Sequence, residues 1–362
     1  MVKILTNKAQ TPFKIIILTL LLTLRPQARA DIFNLENFGQ KLFLELSDSQ
    51  EHENQLIAAL PIEGILILLR QSAEAHAAYE IGDTLDLISK AADEITTKYV
   101  ELIEKFNGDE FIVMKNTISI QSEVNNLDRT TVITDRFALN ICKKTTTFRS
   151  DHQEIKELKL DFTTEIQFKG MFRYAFSGTD KKPFHTSDST VIDKDMLSLQ
   201  ANLRFAEIPE LKVKVFEIPY SYGNNSLVIL LPDAQHGIQD LEVLLKDFPL
   251  SNLESYLKPR SIKLQFPMGE IAIEKSLKEG LQNLGIKGIF EHLCDIETDI
   301  RVSDIIFKGL FTIGDNNAGV NPQDDMGSSD SSGNEEFVID HPFIFMVKAS
   351  ANETYLIGKF SK

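Results

Sequence analysis

Between Asn37 and Leu46 the apolar residues Phe38, Leu42, Phe43 and Leu46 recur at the spacing of one helix face, and Ile57 to Leu69 is apolar at almost every position. The first pattern predicts an amphipathic helix, the second a helix buried on all sides. After the small-residue run Ser72 to Ala78, Ile88 to Phe106 sets Ile95, Tyr99, Leu102, Ile103 and Phe106 against a mostly acidic remainder, which predicts a further amphipathic helix. Strand character appears at Phe111 to Ile120 and dominates after Thr163, where Ile166-Gln167-Phe168 leads into Gly170. Leu211, Val213, Val215 and Ile218 predict a half-buried strand to Tyr220. The turn Tyr222-Gly223-Asn224-Asn225 joins it to a second strand, Ser226 to Pro232, as a hairpin. Further strands are predicted at Ile262 to Phe266, Ile271 to Ile273, Val302 to Ile313, Phe343 to Val347 and Tyr355 to Phe360, with a helix from Ser276 to Leu284 stopped by Gly285. Helices come early, strands late, and nothing repeats at a period of twenty to fifty residues. That order predicts an α+β domain rather than a doubly wound sheet, a solenoid or a propeller.

One stretch departs from both periods. Asp315 to Glu336 is built of Asn, Gly, Asp, Ser and Gln with one proline, and holds almost nothing apolar beyond Val320 and Met326. It reads as a solvated loop. The N-terminus departs in the other direction: Lys3, Lys8 and Lys14 precede the apolar run Ile15 to Leu24, and Ala28-Arg29-Ala30 has the small-x-small form of a signal cleavage site. Residues 1–30 therefore read as an export signal, residues 31–362 as one mature domain, and the product as secreted and extracellular, with no membrane anchor once the signal is cut. Removing five basic residues takes the net charge from −15 to −20, 33 basic against 53 acidic. A chain so acidic repels nucleic acid and polyanionic sugars such as heparin.

Candidate chemistry is sparse. Histidines 52, 76, 152, 185, 236, 292 and 341 sit in no His-Glu-x-x-His pattern, and there is no Cys-x-x-Cys, no Gly-x-Ser-x-Gly and no glycine-rich phosphate cradle. The chain reads as no enzyme and calls for no cofactor. Asp315-x-Asn317-x-Gly319 begins like a calcium loop, but Val320 takes the sharp-turn glycine position and Met326 the closing carboxylate, so no metal is expected. Cys142 and Cys294 read as free structural thiols, although their spacing leaves pairing open. Asn224-Asn225-Ser226 and Asn352-Glu353-Thr354 are glycosylation sequons in predicted turns, so Asn224 and Asn352 are candidate glycan sites.

The stretch Phe337-Val338-Ile339-Asp340-His341-Pro342-Phe343-Ile344-Phe345 lies close to a C-terminus closed by Gly358-Lys359. It resembles the signature that follows the reactive loop of serpins, the serine-protease-inhibitor family. Phe168-Lys169-Gly170 with Phe176 and Phe184, Val215 to Tyr220 with Leu227 to Pro232, Leu277 to Phe290, and Val302-Ser303 to Lys308 match the family in order. The resemblance covers most of residues 35–362 and points to a divergent, secreted, insect-like member. It implies the serpin fold: helices clustered towards the N-terminus, three β-sheets, and an exposed reactive-type loop at 315–336. Between 120 and 160 the chain is short for the family, which implies that the helix crossing the front of the central sheet is reduced or missing.

Family members inhibit by suicide: a protease cuts the loop, and the loop's N-terminal half then enters the central sheet as a new strand. Entry favours small side chains with a free N–H at each ladder position. Here the hinge reads Asp315-Asn316-Asn317-Ala318-Gly319-Val320-Asn321-Pro322. Pro322 removes a ladder donor, and Asn317 and Asn321 favour turns, disfavouring insertion by roughly a few kcal/mol. The family's sheet-opening polar cluster aligns with Ala58 and Pro61 for its serines, Thr164 for its asparagine and Phe307 for its histidine. Counting along the loop places the scissile bond at Ser331-Ser332. The expectation is a monomer that no longer traps proteases and instead meets an extracellular protease or protein receptor, as substrate or binding protein. The alternative is a working inhibitor with small-residue specificity near Ser331.

Overall fold

The computed structural model describes residues 35–47, 52–107, 112–122, 129–133, 157–221, 223–294, 299–314, 335–350 and 353–362. The first apolar stripe folds as helix α1 (Leu35–Ser47). The nearly all-apolar run that follows divides in two, because Gln55–Ile57 pairs with the C-terminal strand as β1 before the chain turns into α2 (Ala59–Ser72). Ten residues of α2 from Ala59 to Leu69 are buried, as its composition requires. Pro61 is tolerated in its first turn, where the backbone N–H has no helical partner. Helix α3 (Ala75–Thr84) precedes α4 (Ala92–Asn107). The amphipathic pattern begins earlier than α4 does: Ile88 lies outside it, 48% exposed, within the turn in which Lys90 N donates to Leu87 O.

From here the chain is mostly strand. It runs through β2 (Ile112–Ser122), β3 (Arg129–Ile133), β4 (Glu157–Phe168), β5 (Thr179–His185), β6 (Val191–Ile208), β7 (Val213–Pro219) and β8 (Ser226–Pro232). Then come α5 (Ile238–Leu245), α6 (Leu253–Tyr256), β9 (Lys258–Pro267), β10 (Gly269–Ser276), α7 (Lys278–Asn283), α8 (Gly288–Glu291), β11 (Asp299–Ile313), β12 (Glu335–Val338), β13 (Phe343–Ser350) and β14 (Glu353–Phe360). The architecture is α+β. One sheet has the order β10-β11-β4-β2-β3; the other runs β1-β14-β13-β8-β7-β6-β9-β12, with β5 on β6. Residues 134–156, where the resemblance implied a reduced front helix, lie outside the described residues, as does the export segment.

Burial explains the strand patterns. Strand β4 buries Leu158, Leu160, Phe162, Thr164, Ile166 and Phe168 at every second position, whereas β8 is buried along its whole length and so reads as a continuous apolar run. The β7–β8 hairpin forms as expected, with Pro219 opposite Ser226 and Gly223 at φ +62 in the turn. Strands β5 and the outer half of β6 escape the pattern because Thr179 to Lys181 and Val191 to Asp193 face solvent on both sides. Phe311 stacks on Phe345 at 4.6 Å and meets Phe168 at 5.8 Å, so the two sheets join through aromatic rings. Cys294 is buried and disulfide-bonded, which overturns the reading as a free thiol; the chain's other cysteine, Cys142, lies outside the described residues.

A polar row crosses the larger sheet. Arg204 on β6 holds Glu217 at 2.7 Å and Glu254 of α6 at 2.6 Å, and Lys348 on β13 reaches Glu254 at 3.2 Å. The hydrogen bond from Arg204 holds the Glu254 carboxyl below its ordinary value of 4.5, against desolvation and with help from Lys348. A depressed carboxyl stabilises the fold above 4.5, and that stability is lost as pH falls through the lower folded value. Because Glu254→Gln leaves the buried Lys348 without its counter-charge, it is expected to cost about 2 kcal/mol at pH 7 in urea unfolding. The difference from wild type should vanish at strongly acidic pH; an equal loss at both extremes would contradict the ionic assignment.

Candidate functional site

The loop's two anchorages are described although the loop is not. Asp315, Asn316, Asn317, Ala318, Pro322, Ser331 and Ser332 all lie outside the described residues. Upstream, β11 ends at Ile313, buried and paired with Gly269. Downstream, the chain is strand from Glu335, two residues inside the span 315–336 read as loop. Glu335 and Glu336 looked like loop because they are charged. They are instead matched by Arg260 at 3.5 Å and Lys263 at 2.9 Å on β9, to which β12 pairs in parallel. Phe337 packs against Phe205 and Phe216 at 5.0 and 5.2 Å.

The resemblance implies that a strand inserted from the loop would enter the seam between β4 and β11. That seam is closed, with the two strands pairing in parallel through twelve residue positions from Asp299↔Glu157 to Phe311↔Phe168. At its centre Thr164 lies opposite Phe307, and on the far side of β4 it lies opposite Asn116 of β2. Thr164, Phe307 and Ala58 are each 0% exposed, and Pro61 is buried. Strand alternation points Thr164 and Phe307 to the inner face of the sheet, which α2 covers.

Thr164 and Phe307 do come together, and Asn116, missed by sequence reasoning, connects Thr164 to Pro61. Its Nδ2 donates to the Pro61 carbonyl at 3.2 Å, tying β2 to the first turn of α2. Polarity therefore survives at the site but is poorly satisfied: Thr164 Oγ1, Asn116 Oδ1 and, further along α2, Glu63 Oε2 are buried without a hydrogen-bond partner. On the outer face Asp304 sits across the seam from Asp161, beside a bulge between Val302 and Asp304. Burial first and Asp304 second hold the Asp161 carboxyl above its ordinary value.

The Asp340-His341-Pro342-Phe343 motif joins the downstream anchor to the core. His341 Nδ1 faces Asp340 Oδ1 at 2.8 Å, and Nε2 faces the Pro232 carbonyl at 2.8 Å. Phe343 stacks on Phe360 at 5.2 Å. A Cβ at Gly358 would fall 2.3 Å from the Phe345 ring, so the closing glycine is required by the motif's own aromatic. Asn224 is exposed in the β7–β8 turn, whereas Asn352 lies outside the described residues.

Comparison with known proteins agrees with this geometry. A family model described as Serpin (serine protease inhibitor) matches residues 145–362. "Iripin-1" of Ixodes ricinus is 29% identical over 56% of this chain, which spans about half of that relative's length, 54%. "Serine protease inhibitor 42Dd" of Drosophila melanogaster is 22% identical over 89% of this chain and 94% of its own. Among solved structures, uncleaved ovalbumin superposes with a TM-score of 0.72 at 18% identity, covering 91% of this chain and 99% of the other. Native protease nexin-1 with heparin gives 0.71 at 18% identity, covering 93% and 100%.

Burial holds the Glu63 carboxyl well above its ordinary value of 4.5. Its contribution to stability is full below 4.5 and declines as pH rises towards the folded value, because the folded chain keeps a proton that the unfolded chain releases. Glu63→Met is expected to stabilise the chain at pH 7 by about 1–3 kcal/mol and to flatten this decline, read by denaturant unfolding between pH 4 and pH 8. An unchanged pH profile would contradict the assignment.

Proposed function

The chain belongs to the serpin family, and from that premise we propose that it is a secreted glycoprotein that no longer traps proteases efficiently, acting outside the cell as a protease substrate or as a binding and regulatory protein. It is no enzyme; its partner is an extracellular protease or a protein receptor, met as a monomer. The observation that carries the reading is the filled seam: Phe307 occupies its centre opposite Thr164, and Ala58 and Pro61 at the start of α2 are buried as well. An entering strand has to separate these twelve paired positions and find room for its inward side chains beside a fully buried aromatic ring. Pro322 adds a missing ladder donor, and Asn317 and Asn321 add side chains that compete for turns.

Family ancestry keeps a second reading alive, that of an inhibitor with small-residue specificity at Ser331-Ser332. The bovine relative named "Leukocyte elastase inhibitor" is 28% identical over 56% of this chain and 58% of its own. A heparin partner, named for the protease nexin-1 structure, is disfavoured here by a net charge of −20 after loss of residues 1–30, 33 basic against 53 acidic.

Incubation with elastase-like and subtilisin-like proteases is expected to cut the loop without an SDS-stable complex, and the cut chain should melt where the intact chain does. A near-stoichiometric complex, or a large rise in melting temperature, supports the second reading instead. The double change Asn321→Ala and Pro322→Ala is expected not to restore trapping, since the seam is untouched; complexes from that variant would show that the seam is not the obstacle. The exposed side chain of Asn224 supports glycan attachment in the β7–β8 turn. Expression through a eukaryotic secretory route should give a chain whose mass falls on amidase treatment, with a smaller fall for Asn224→Gln; an identical fall would place the sugar elsewhere.

A further inference from the structure

Four segments converge on the Asp340–His341 pair. Strand β12 ends at Val338, and Ile339 N donates to Gln265 O on β9 at 2.8 Å. The carbonyl of Asp340 accepts from His185 N at the end of β5, also at 2.8 Å. His341, 8% exposed, then reaches Asp340 Oδ1 with Nδ1 and Pro232 O, at the end of β8, with Nε2, each at 2.8 Å. Both ring nitrogens thus face acceptors, a carboxylate and a carbonyl oxygen, neither of which has a proton to give. A neutral imidazole has one N–H and one lone pair, so it satisfies one of them and turns a lone pair on the other. Only the doubly protonated ring donates to both.

Among the described residues, these charged and titratable groups lie on the segments that meet the ring. On its own segment there is Asp340. From β5 there is His185. Past the end of β8 lies Asp233, already paired with Lys214 at 2.5 Å. On β9, Arg260 and Lys263 are taken by Glu335 and Glu336. The clamp's mechanical setting matters as much as its charge: β12 is four residues long, and its ion pairs to β9 are exposed, with side chains 42–52% accessible. Ion pairs of that kind hold little. Beyond the four positions paired with β9, the hold on this end of the loop therefore rests on Phe337 and the junction at residues 339–341.

We propose that Asp340–His341 is a proton-operated clamp on the downstream anchor of the loop. With a proton on each ring nitrogen, the link between β12 and β13 is fastened to the end of β8. Loss of the Nε2 proton, with the Nδ1 proton kept by the carboxylate, takes the donor from the Pro232 carbonyl, frees the link from the end of β8 and loosens β12 on β9. The proton leaves to solvent, and no covalent bond other than that N–H changes. The device works on the loop's anchorage, so it holds whether or not the loop traps a protease.

Amide hydrogen exchange of the 335–345 segment in the full chain tests this, with rates corrected for the intrinsic effect of pH and followed from about pH 5.5 to pH 8, the range in which imidazoles titrate. Wild type is expected to exchange roughly ten- to a hundredfold faster at the upper end, the worth of one charge-assisted hydrogen bond. His341→Gln, which still donates once but never titrates, should show no pH response. A flat wild-type profile, or a His341→Gln profile as steep as wild type, would overturn the clamp. Should that variant fail to fold, ring-nitrogen resonances of histidine-labelled wild type decide. Two protonated nitrogens on His341 at pH 5.5, with loss of one accompanying the loosening, support the proposal; a neutral tautomer at pH 5.5 overturns it.

Discussion

In the five-stranded sheet β4 and β11 lie side by side and parallel, and the segment that would have to enter between them starts where β11 ends. The proposed loss of trapping turns on how that pairing resists being opened. Its ladder hydrogen bonds are replaceable, since an incoming strand offers equivalent partners. Its side chains are less so. Phe307 is fully buried against the inner layer, and Thr164 beside it makes no hydrogen bond that opening would have to break or that insertion would restore. A polar cluster can exchange partners as strands part, whereas a packed aromatic has to find new volume at interior density.

The same substitution pattern carries a local cost. Thr164 Oγ1 and Asn116 Oδ1 are buried without partners, each an expense of about 1–3 kcal/mol. Surrounding apolar burial on β4, β11 and α2 offsets it, and Asn116 recovers part through Pro61. Under the proposed function, Thr164 Oγ1 and Asn116 Oδ1 are polar groups left without partners where the family opens its sheet. At the other end of the loop the logic differs, because β12 meets β9 at only four paired positions, supported by surface charges, one aromatic residue and the His341 junction.

Much of this was legible in one dimension because burial on one face writes itself as a period. Strand β4 shows it plainly, as do the all-apolar α2 and β8, whose covered faces leave no polar side to display. The Asp340-His341-Pro342-Phe343 signature was readable as a match to a family pattern and the four altered cluster positions as departures from it, and the structure brings Thr164 and Phe307 together. What stayed hidden depends on partners distant in sequence. Glu335 and Glu336 look like loop until Arg260 and Lys263 are placed opposite them. Asn116 looks like an ordinary polar strand residue until α2 lies beneath it. Cys294 looked like a free thiol because spacing carries no distance, and β5 with the outer half of β6 faces too much solvent to leave an apolar period.

The central claim is that the seam between β4 and β11 stays shut after the loop is cut. Backbone hydrogen exchange of residues 157–168 and 299–313, measured before and after nicking near Ser331, addresses it without relying on any partner. The account predicts the same protection in both forms and no protection gained by residues 315–330. Strong new protection in 315–330, together with slower exchange along both flanking strands, would mean that the loop has become a strand of the sheet, and would contradict it.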